Sequence, residues 1–233
     1  MSLAMPALAV QKLKVSAILI DLDGTLVHSA PELARAAGRM LVDLGMPALA
    51  QAQIESYIGE GAAVLIKRCL TGELDGEPDA ALYAKAHDLF FKYYAQNAAE
   101  SRPYPNVVAG VQALKQAGYR LACVTNKPES FTMPLLAAND LLQYFELVVS
   151  GDTLPKKKPD PDQIFYICEK LGVAVADTLL IGDSKTDVAA ASNAGCYIFT
   201  IPYGYNQGQK IEVSAVNALI NNIGDALDFI ERI

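Results

Sequence analysis

No apolar run in the 233 residues approaches the roughly 18 needed to cross a bilayer, so no membrane-spanning helix is expected. No two cysteines form a CxxC pair. Cys69, Cys123, Cys168 and Cys196 are scattered without metal-ligand spacing, and an even count in a chain this long is no disulfide framework. They read as reduced thiols, mostly buried as small hydrophobes, which suits the cytoplasm. Internal repeats and low-complexity tracts are absent. Positive charge is scarce: 19 Lys and Arg stand against 26 Asp and Glu, a formal net charge of -7. An acidic surface repels a phosphate backbone and argues against nucleic acid as a partner. It leaves a small anionic substrate open, because a site needs only a few local cations. The first residues, up to Lys14, carry an apolar patch with no positive region before it, short for a signal peptide. Met1-Ser2-Leu3 reads as a cloning remnant ahead of Met5.

With 52% hydrophobic and 19% charged residues, the composition is that of a globular chain, long enough for one large domain or a core with a smaller insert. Short apolar runs end abruptly in polar or glycine-containing turns: Ala17 to Ile20, Leu121 to Val124, Leu147 to Val149, Leu179 to Ile181 and Tyr197 to Phe199. Such runs, without polar alternation, suit parallel strands buried on both faces. Helical patterns lie between most of them: Val107 to Gln116 before Gly118, Glu129 to Ala138, Gln163 to Leu171 before Gly172, and Asp187 to Ala194 before Gly195. Alternating strands and helices predict an α/β fold with a doubly wound, Rossmann-like parallel sheet.

One stretch breaks this rhythm. From Pro31 to Glu100 there is no strand pattern, only periodic apolar positions such as Leu33, Ala36, Ala37, Met40, Leu41 and Leu44. Several helices are expected, interrupted at Gly45-Met46-Pro47, at Gly59-Glu60-Gly61 and in the loop from Gly72 to Pro78. That is too long for an ordinary βα connection, so it reads as a helical insert after the first strand. The return falls near Arg102-Pro103-Tyr104-Pro105, where two prolines stiffen the chain. The expected division is a core of residues 1–28 and 103–233 and a helical cap of residues 29–102.

Ligands of an open α/β sheet bind at the carboxyl ends of its strands. The first run is followed by Asp21-Leu22-Asp23-Gly24-Thr25, the second by Thr125-Asn126-Lys127, and the fourth by Gly182-Asp183-Ser184-Lys185-Thr186-Asp187. Lys156-Lys157-Lys158-Pro159 precedes the Gln163 helix. Clustered aspartates repel one another unless a cation lies between them. A hard divalent ion satisfies them, and Mg²⁺ takes a few carboxylates plus waters and a phosphate. A carboxylate beside it can attack phosphorus, a lysine with hydroxyl or N–H donors can hold the transferring group, and an Asp two residues on can protonate the leaving alkoxide and then activate water. Taken singly, each motif has a plainer reading: a turn or calcium loop, a solvated lysine face, ordinary loop, a helix N-cap. Their joint occurrence at successive strand ends favours chemistry.

The motifs Asp21-Leu22-Asp23-Gly24-Thr25-Leu26-Val27, Val124-Thr125-Asn126-Lys127-Pro128, Lys158-Pro159 and Ile181-Gly182-Asp183-Ser184-Lys185-Thr186-Asp187 span most of the chain. Together they resemble the haloacid dehalogenase superfamily of aspartyl phosphatases. The resemblance implies Asp21 as nucleophile and Asp23 as general acid and base, with Thr125 and Lys158 completing the catalytic set. It implies Mg²⁺ held by Asp21, the backbone carbonyl of Asp23, and Asp183, with Asp187 in support, and a phosphoryl group bound by Thr125, Asn126 and Lys158. The helical insert is similar to that superfamily's small α-helical cap.

Finer features resemble the phosphoglycolate phosphatases within it: Val124-Thr125-Asn126-Lys127-Pro128, Lys157-Lys158-Pro159-Asp160-Pro161, Ala194-Gly195-Cys196, Pro202-Tyr203-Gly204-Tyr205-Asn206 and Ile58-Gly59-Glu60-Gly61. Two departures bear on the substrate. Glu60 stands where that family often has Asn, and His28 where an Asp usually follows the first motif. His28 reads as a satisfied loop residue or as one that tunes substrate entry with pH. Lys67 and Arg68, within two helical turns of Gly61, read either as a solvated face or as cations pairing with a substrate carboxylate. Tyr83, Phe90, Phe91, Tyr93 and Tyr94 read as cap core, and His87 is given no role. The expectation is a Mg²⁺-dependent phosphatase, monomeric or homodimeric, for a small phosphorylated metabolite: 2-phosphoglycolate first, then a sugar phosphate, nucleotide or pyrophosphate. A phosphomutase and a non-catalytic binding protein are the rivals from other classes. Dehalogenation is disfavoured because a leaving halide needs no proton from Asp23.

Overall fold

The structure, a computed structural model, describes residues 12–206 and 211–233; the N-terminal apolar patch and Met5 lie outside them. The elements run β1 (Leu13–Val15), β2 (Ala17–Ile20), β3 (Val27–His28), α1 (Ala30–Asp43), α2 (Gln51–Glu55), α3 (Ala62–Thr71), α4 (Ala80–Tyr94), β4 (Arg102–Pro103), α5 (Val107–Gln116), β5 (Arg120–Val124), α6 (Glu129–Ala138), β6 (Leu147–Val149), α7 (Asp162–Leu171), β7 (Thr178–Gly182), α8 (Lys185–Ala194), β8 (Tyr197–Thr200), β9 (Ala218–Leu219), α9 (Ala226–Phe229) and β10 (Ile230–Arg232). Six strands form one sheet in the order β6-β5-β2-β7-β8-β9, every neighbouring pair parallel.

The period of two along each strand divides its side chains between two apolar layers. Ile18, Ile20, Leu121, Cys123, Leu179 and Ile181 face a core shared with Val107, Val111 and Leu114 of α5 and Leu135 and Leu136 of α6. Ala17, Leu19, Ala122, Val124 and Leu180 face the opposite one, with Ile164, Ile167 and Leu171 of α7 and Ala190 and Ala191 of α8. Both faces are covered, which is why β2 and β7 carry no polar alternation and every residue in them is buried. Each such Leu or Ile contributes roughly 1.5–3 kcal/mol of burial.

Residues 30–98 build a third apolar cluster of their own. Ala37, Met40 and Leu41 of α1 pack with Leu65 and Ile66 of α3 and Ala86, Phe90 and Tyr94 of α4. Among the described residues this segment holds helices and turns and no strand. Its two ends are joined by a short ribbon: Val27–His28 pairs antiparallel with Arg102–Pro103.

The structure adds to the sequence reading in three places. Ala17–Ile20 is preceded by β1, which pairs with β10 in a separate two-stranded sheet. β9 extends the main sheet by one edge strand. Helix α8 starts two residues before Asp187, because Asp187 closes a capping box on Ser184: its carboxylate accepts from the Ser184 N–H and the Ser184 side chain receives the N3 backbone. The four cysteines are free, three of them buried. No helix among the described residues is long and apolar enough to cross a membrane.

Candidate active site

Asp21 follows β2, Thr125 follows β5 and Asp183 follows β7, so three neighbouring parallel strands deliver them to one edge. Asp21, Asp23, Thr125, Asn126, Lys158, Asp183 and Asp187 line a single cavity together with Leu33, Ile58, Gly59, Gly61, Ala62, Leu65, Phe91 and Tyr94 of the helical segment 30–98. It measures about 60 Å³.

Lys158 is the hub. Its Nζ donates to Asp21 Oδ1 at 2.6 Å, to Asp187 Oδ1 at 2.7 Å and to the Val124 carbonyl at 3.0 Å. All three ammonium donors are therefore engaged. Burial alone would lower its pKa, but Asp187 and Asp21 together raise it, so the lysine is a fixed cation. Gln163, fully buried at the start of α7, holds the loops around it: Oε1 accepts from the Lys158 N–H, and Nε2 donates to the carbonyls of Thr125 and Ser150. Asn126 Nδ2 donates to the Lys158 carbonyl at 2.8 Å, while its Oδ1 is buried without a partner.

The carboxylates are crowded. Oxygens of Asp21, Asp183 and Asp187 lie within 4.8 Å of one another. Asp183 accepts from Thr25 Oγ1 at 2.9 Å and from the Tyr205 N–H. Two glycines make this approach possible, since a Cβ on Gly24 or Gly204 would collide with the Asp183 carboxylate. Asp187 is satisfied on both oxygens, by Lys158 on one and Ser184 on the other. Burial, opposed by Lys158 and reinforced by the charges of Asp187 and Asp23, pushes Asp21 up to about 7. Burial and the charges of Asp21 and Asp187 push Asp183 well above the usual carboxylate range. The lining holds four carboxylates, of Asp21, Asp23, Asp183 and Asp187, against two ammonium groups, of Lys127 and Lys158. The excess of two negative charges, the oxygen-only donors and the raised pKa values fit a hard divalent cation.

Lys127, which the sequence reading left as loop, enters the site. Its Nζ donates to the Asp23 carboxylate at 2.9 and 3.2 Å and contacts the Tyr94 hydroxyl from α4. Burial would lower its pKa, and Asp23 and Tyr94 raise it instead. The aromatic group of α4 is thus more than cap core, since Phe91 and Tyr94 form part of the cavity wall. The motif places Lys127 at a strand end, but only proximity in space pairs it with Asp23, which is 104 residues away along the chain.

Lys67 and Arg68, read from the sequence as a solvated face or as contacts for a substrate carboxylate, are both absent from the cavity lining. Lys67 Nζ lies 2.7 Å from Glu77 on the surface. Arg68 points inward and is 2% exposed. It donates to the carbonyls of Leu74 and Tyr57 and to Glu60 Oε1 at 2.7 Å. Glu60 lies also 3.8 Å from Lys185, so its charge is balanced by Arg68 and Lys185. Arg68→Ala removes the closest cation from Glu60 and the donor from two carbonyls. It is expected to cost about 3 kcal/mol, or roughly 6–12 °C in Tm, without changing preference between carboxylated and neutral substrates; thermal denaturation and paired kinetics check this. His28 lies outside the cavity, its Nδ1 2.7 Å from the Tyr205 hydroxyl, which also accepts from the Ala30 N–H.

A family model of the haloacid dehalogenase-like hydrolases matches residues 18–201, and the chain belongs to that family. Within it, the chain is 49% identical to the phosphoglycolate phosphatase of Thiobacillus denitrificans, over 92% of this chain and 95% of that one. It is 48% identical to the phosphoglycolate phosphatase of Nitrosospira multiformis, over 94% and 97%. A crystal structure of a predicted phosphoglycolate phosphatase from Haemophilus somnus superposes with a TM-score of 0.84 at 35% identity, covering 91% of this chain and 96% of that one.

Proposed function

We propose that this protein is a Mg²⁺-dependent phosphatase that hydrolyses 2-phosphoglycolate to glycolate and phosphate through an aspartyl-phosphate on Asp21. The observation that carries this reading is the buried Asp21 carboxylate, held 2.6 Å from Lys158 in one cavity with a second acid, Asp23. In the first half, an Asp21 oxygen bonds to phosphorus as the ester P–O bond breaks, and Asp23 gives its proton to the leaving alkoxide. In the second, Asp23 takes a proton from water, the water oxygen bonds to phosphorus, and the bond to Asp21 breaks. Lys158, Thr125 and Asn126 hold the phosphoryl oxygens: Thr125 Oγ1 accepts from the Lys127 N–H and keeps its hydroxyl proton to donate, Asn126 Nδ2 has a second N–H beside the one on the Lys158 carbonyl, and Lys158 contributes its buried positive charge. Asp21, Asp183 and the Asp23 carbonyl, supported by Asp187, would hold Mg²⁺, which when bound neutralises charge on the phosphoryl group.

The substrate reading rests on the relatives at 48 and 49% identity. The division into a core of residues 1–28 and 103–233 and a cap of residues 29–102 belongs to the same proposal. It is supported by the separate apolar cluster of α1, α3 and α4 and by the ribbon at its base. A cytoplasmic location is supported by the free thiols.

The test is Mg²⁺-dependent phosphate release from 2-phosphoglycolate, sugar phosphates, nucleotides, pyrophosphate and an aryl phosphate. 2-Phosphoglycolate is expected to lead in kcat/KM by tenfold or more, about 1.4 kcal/mol. A different leader would overturn the substrate, and no release at all would overturn the enzyme.

A further inference from the structure

The cavity that would house the leaving group has a wall without cations. Leu33, Ile58, Leu65 and Phe91 close it from the cap side. Lys67 and Arg68 are engaged elsewhere, with Glu77 and Glu60. Among the described residues lining the cavity the cations are Lys127 and Lys158. Lys158 has its three donors on Asp21, Asp187 and Val124, on the nucleophile's side. Lys127 lies beside Asp23, on the side where the ester oxygen departs.

We propose that Lys127 is the specificity-determining residue that holds the carboxylate of the substrate; this rests on the phosphoglycolate reading above. In 2-phosphoglycolate the carboxylate is attached to the carbon that bears the ester oxygen. A group within hydrogen-bond reach of Asp23, the acid that protonates that oxygen, is therefore also within reach of the carboxylate. Lys127 meets this condition at 2.9 Å from Asp23. Its ammonium has three N–H donors, which meet Asp23 Oδ1 at 2.9 Å, Asp23 Oδ2 at 3.2 Å and the Tyr94 hydroxyl; the longer contact, to Oδ2, is the one that a substrate carboxylate takes over, with Asp23 still held through Oδ1. With 6% exposure, the charge is shielded from water, where an ion pair with a carboxylate gains most. Tyr94 belongs to α4, so the cap positions this cation without supplying one.

The experiment compares 2-phosphoglycolate with ethyl phosphate, the same ester without the carboxylate, in the wild type and in Lys127→Met. The ratio of the two kcat/KM values is expected to fall at least tenfold in the variant, and turnover of ethyl phosphate reports that the variant is folded. A second arm, free of turnover, measures Kd for both esters by calorimetry in Asp21→Asn and in Asp21→Asn with Lys127→Met; only 2-phosphoglycolate is expected to lose affinity. Equal losses for both esters in either arm would overturn the proposal and make Lys127 a positioning residue for Asp23. Loss of discrimination in Lys157→Ala but not in Lys127→Met would also overturn it and move the contact to Lys157, whose ammonium lies beside Gly61. A wild type that does not prefer 2-phosphoglycolate over ethyl phosphate overturns the substrate reading itself, whereas a preference that survives Lys127→Met overturns the role of Lys127 alone.

Discussion

Asp21→Asn is expected to lower kcat by about 10⁴-fold or more, on the order of 5 kcal/mol of transition-state stabilisation, while the chain remains folded. No neighbouring carboxylate is free to replace the nucleophile. Asp183 is held by Thr25 and the Tyr205 N–H, Asp187 by Lys158 and Ser184, and Asp23 by Lys127. The substitution removes one charge from a crowded acidic cluster and leaves Lys158 its contact with Asp187, so the fold loses little. Phosphate release together with thermal denaturation checks both halves. Turnover above a hundredth of the wild-type rate in a folded variant would remove Asp21 from the nucleophile's role. Asp23→Asn separates the two aspartates further: it is expected to damage turnover of alkyl esters more than that of an aryl phosphate, whose leaving group needs no proton.

Five of the six strands of the main sheet were legible because parallel strands covered on both faces are apolar throughout. β2, β5, β6, β7 and β8 appear in the sequence as short Val, Ile and Leu runs, and the site motifs follow from where those runs stop. β1, β3, β4, β9 and β10 were not legible. They are two or three residues long with mixed exposure, and pairing with a distant partner makes them strands. The catalytic-edge aspartates and Lys158 are marked by their place after a strand or before a helix. Lys127 shares the place after a strand, but its role is not marked there, since Thr-Asn-Lys taken singly is ordinary loop and its meaning comes from Asp23 and Tyr94. Helical spacing put Lys67 and Arg68 close to Gly61 but could not say which way the side chains turn. Arg68 turns inward within the helical segment, where it donates to the Glu60 carboxylate and two carbonyls. Gln163 was read only as a helix start, because its three hydrogen bonds run to loops that the fold alone brings together.

Removing the divalent cation is expected to invert the pH dependence of stability at this edge. In the chelated protein, Asp21 is raised from its ordinary 3.8 to about 7 and Asp183 is raised as well. Between these values the folded chain keeps protons that the unfolded chain has released. Stability therefore falls as pH rises through this window, and its contribution is fully present only below the ordinary carboxylate pKa. For Asp21 alone the loss is on the order of a few kcal/mol, roughly 10 °C in Tm for a chain of this size. With chelator, Tm is expected to be higher at pH 5.5 than at pH 8. Saturating Mg²⁺ at pH 8 is expected to restore it, because the ion binds the folded cluster and not the unfolded chain. Asp183→Asn distinguishes this cause from general charge repulsion in an acidic protein. It relieves the cluster, so at pH 8 with chelator the variant should melt above the wild type, yet it should gain little from Mg²⁺ and release no phosphate. A variant that melts below the chelated wild type, or one that responds to Mg²⁺ as the wild type does, would show that the Asp21, Asp183 and Asp187 cluster is not where the cation acts.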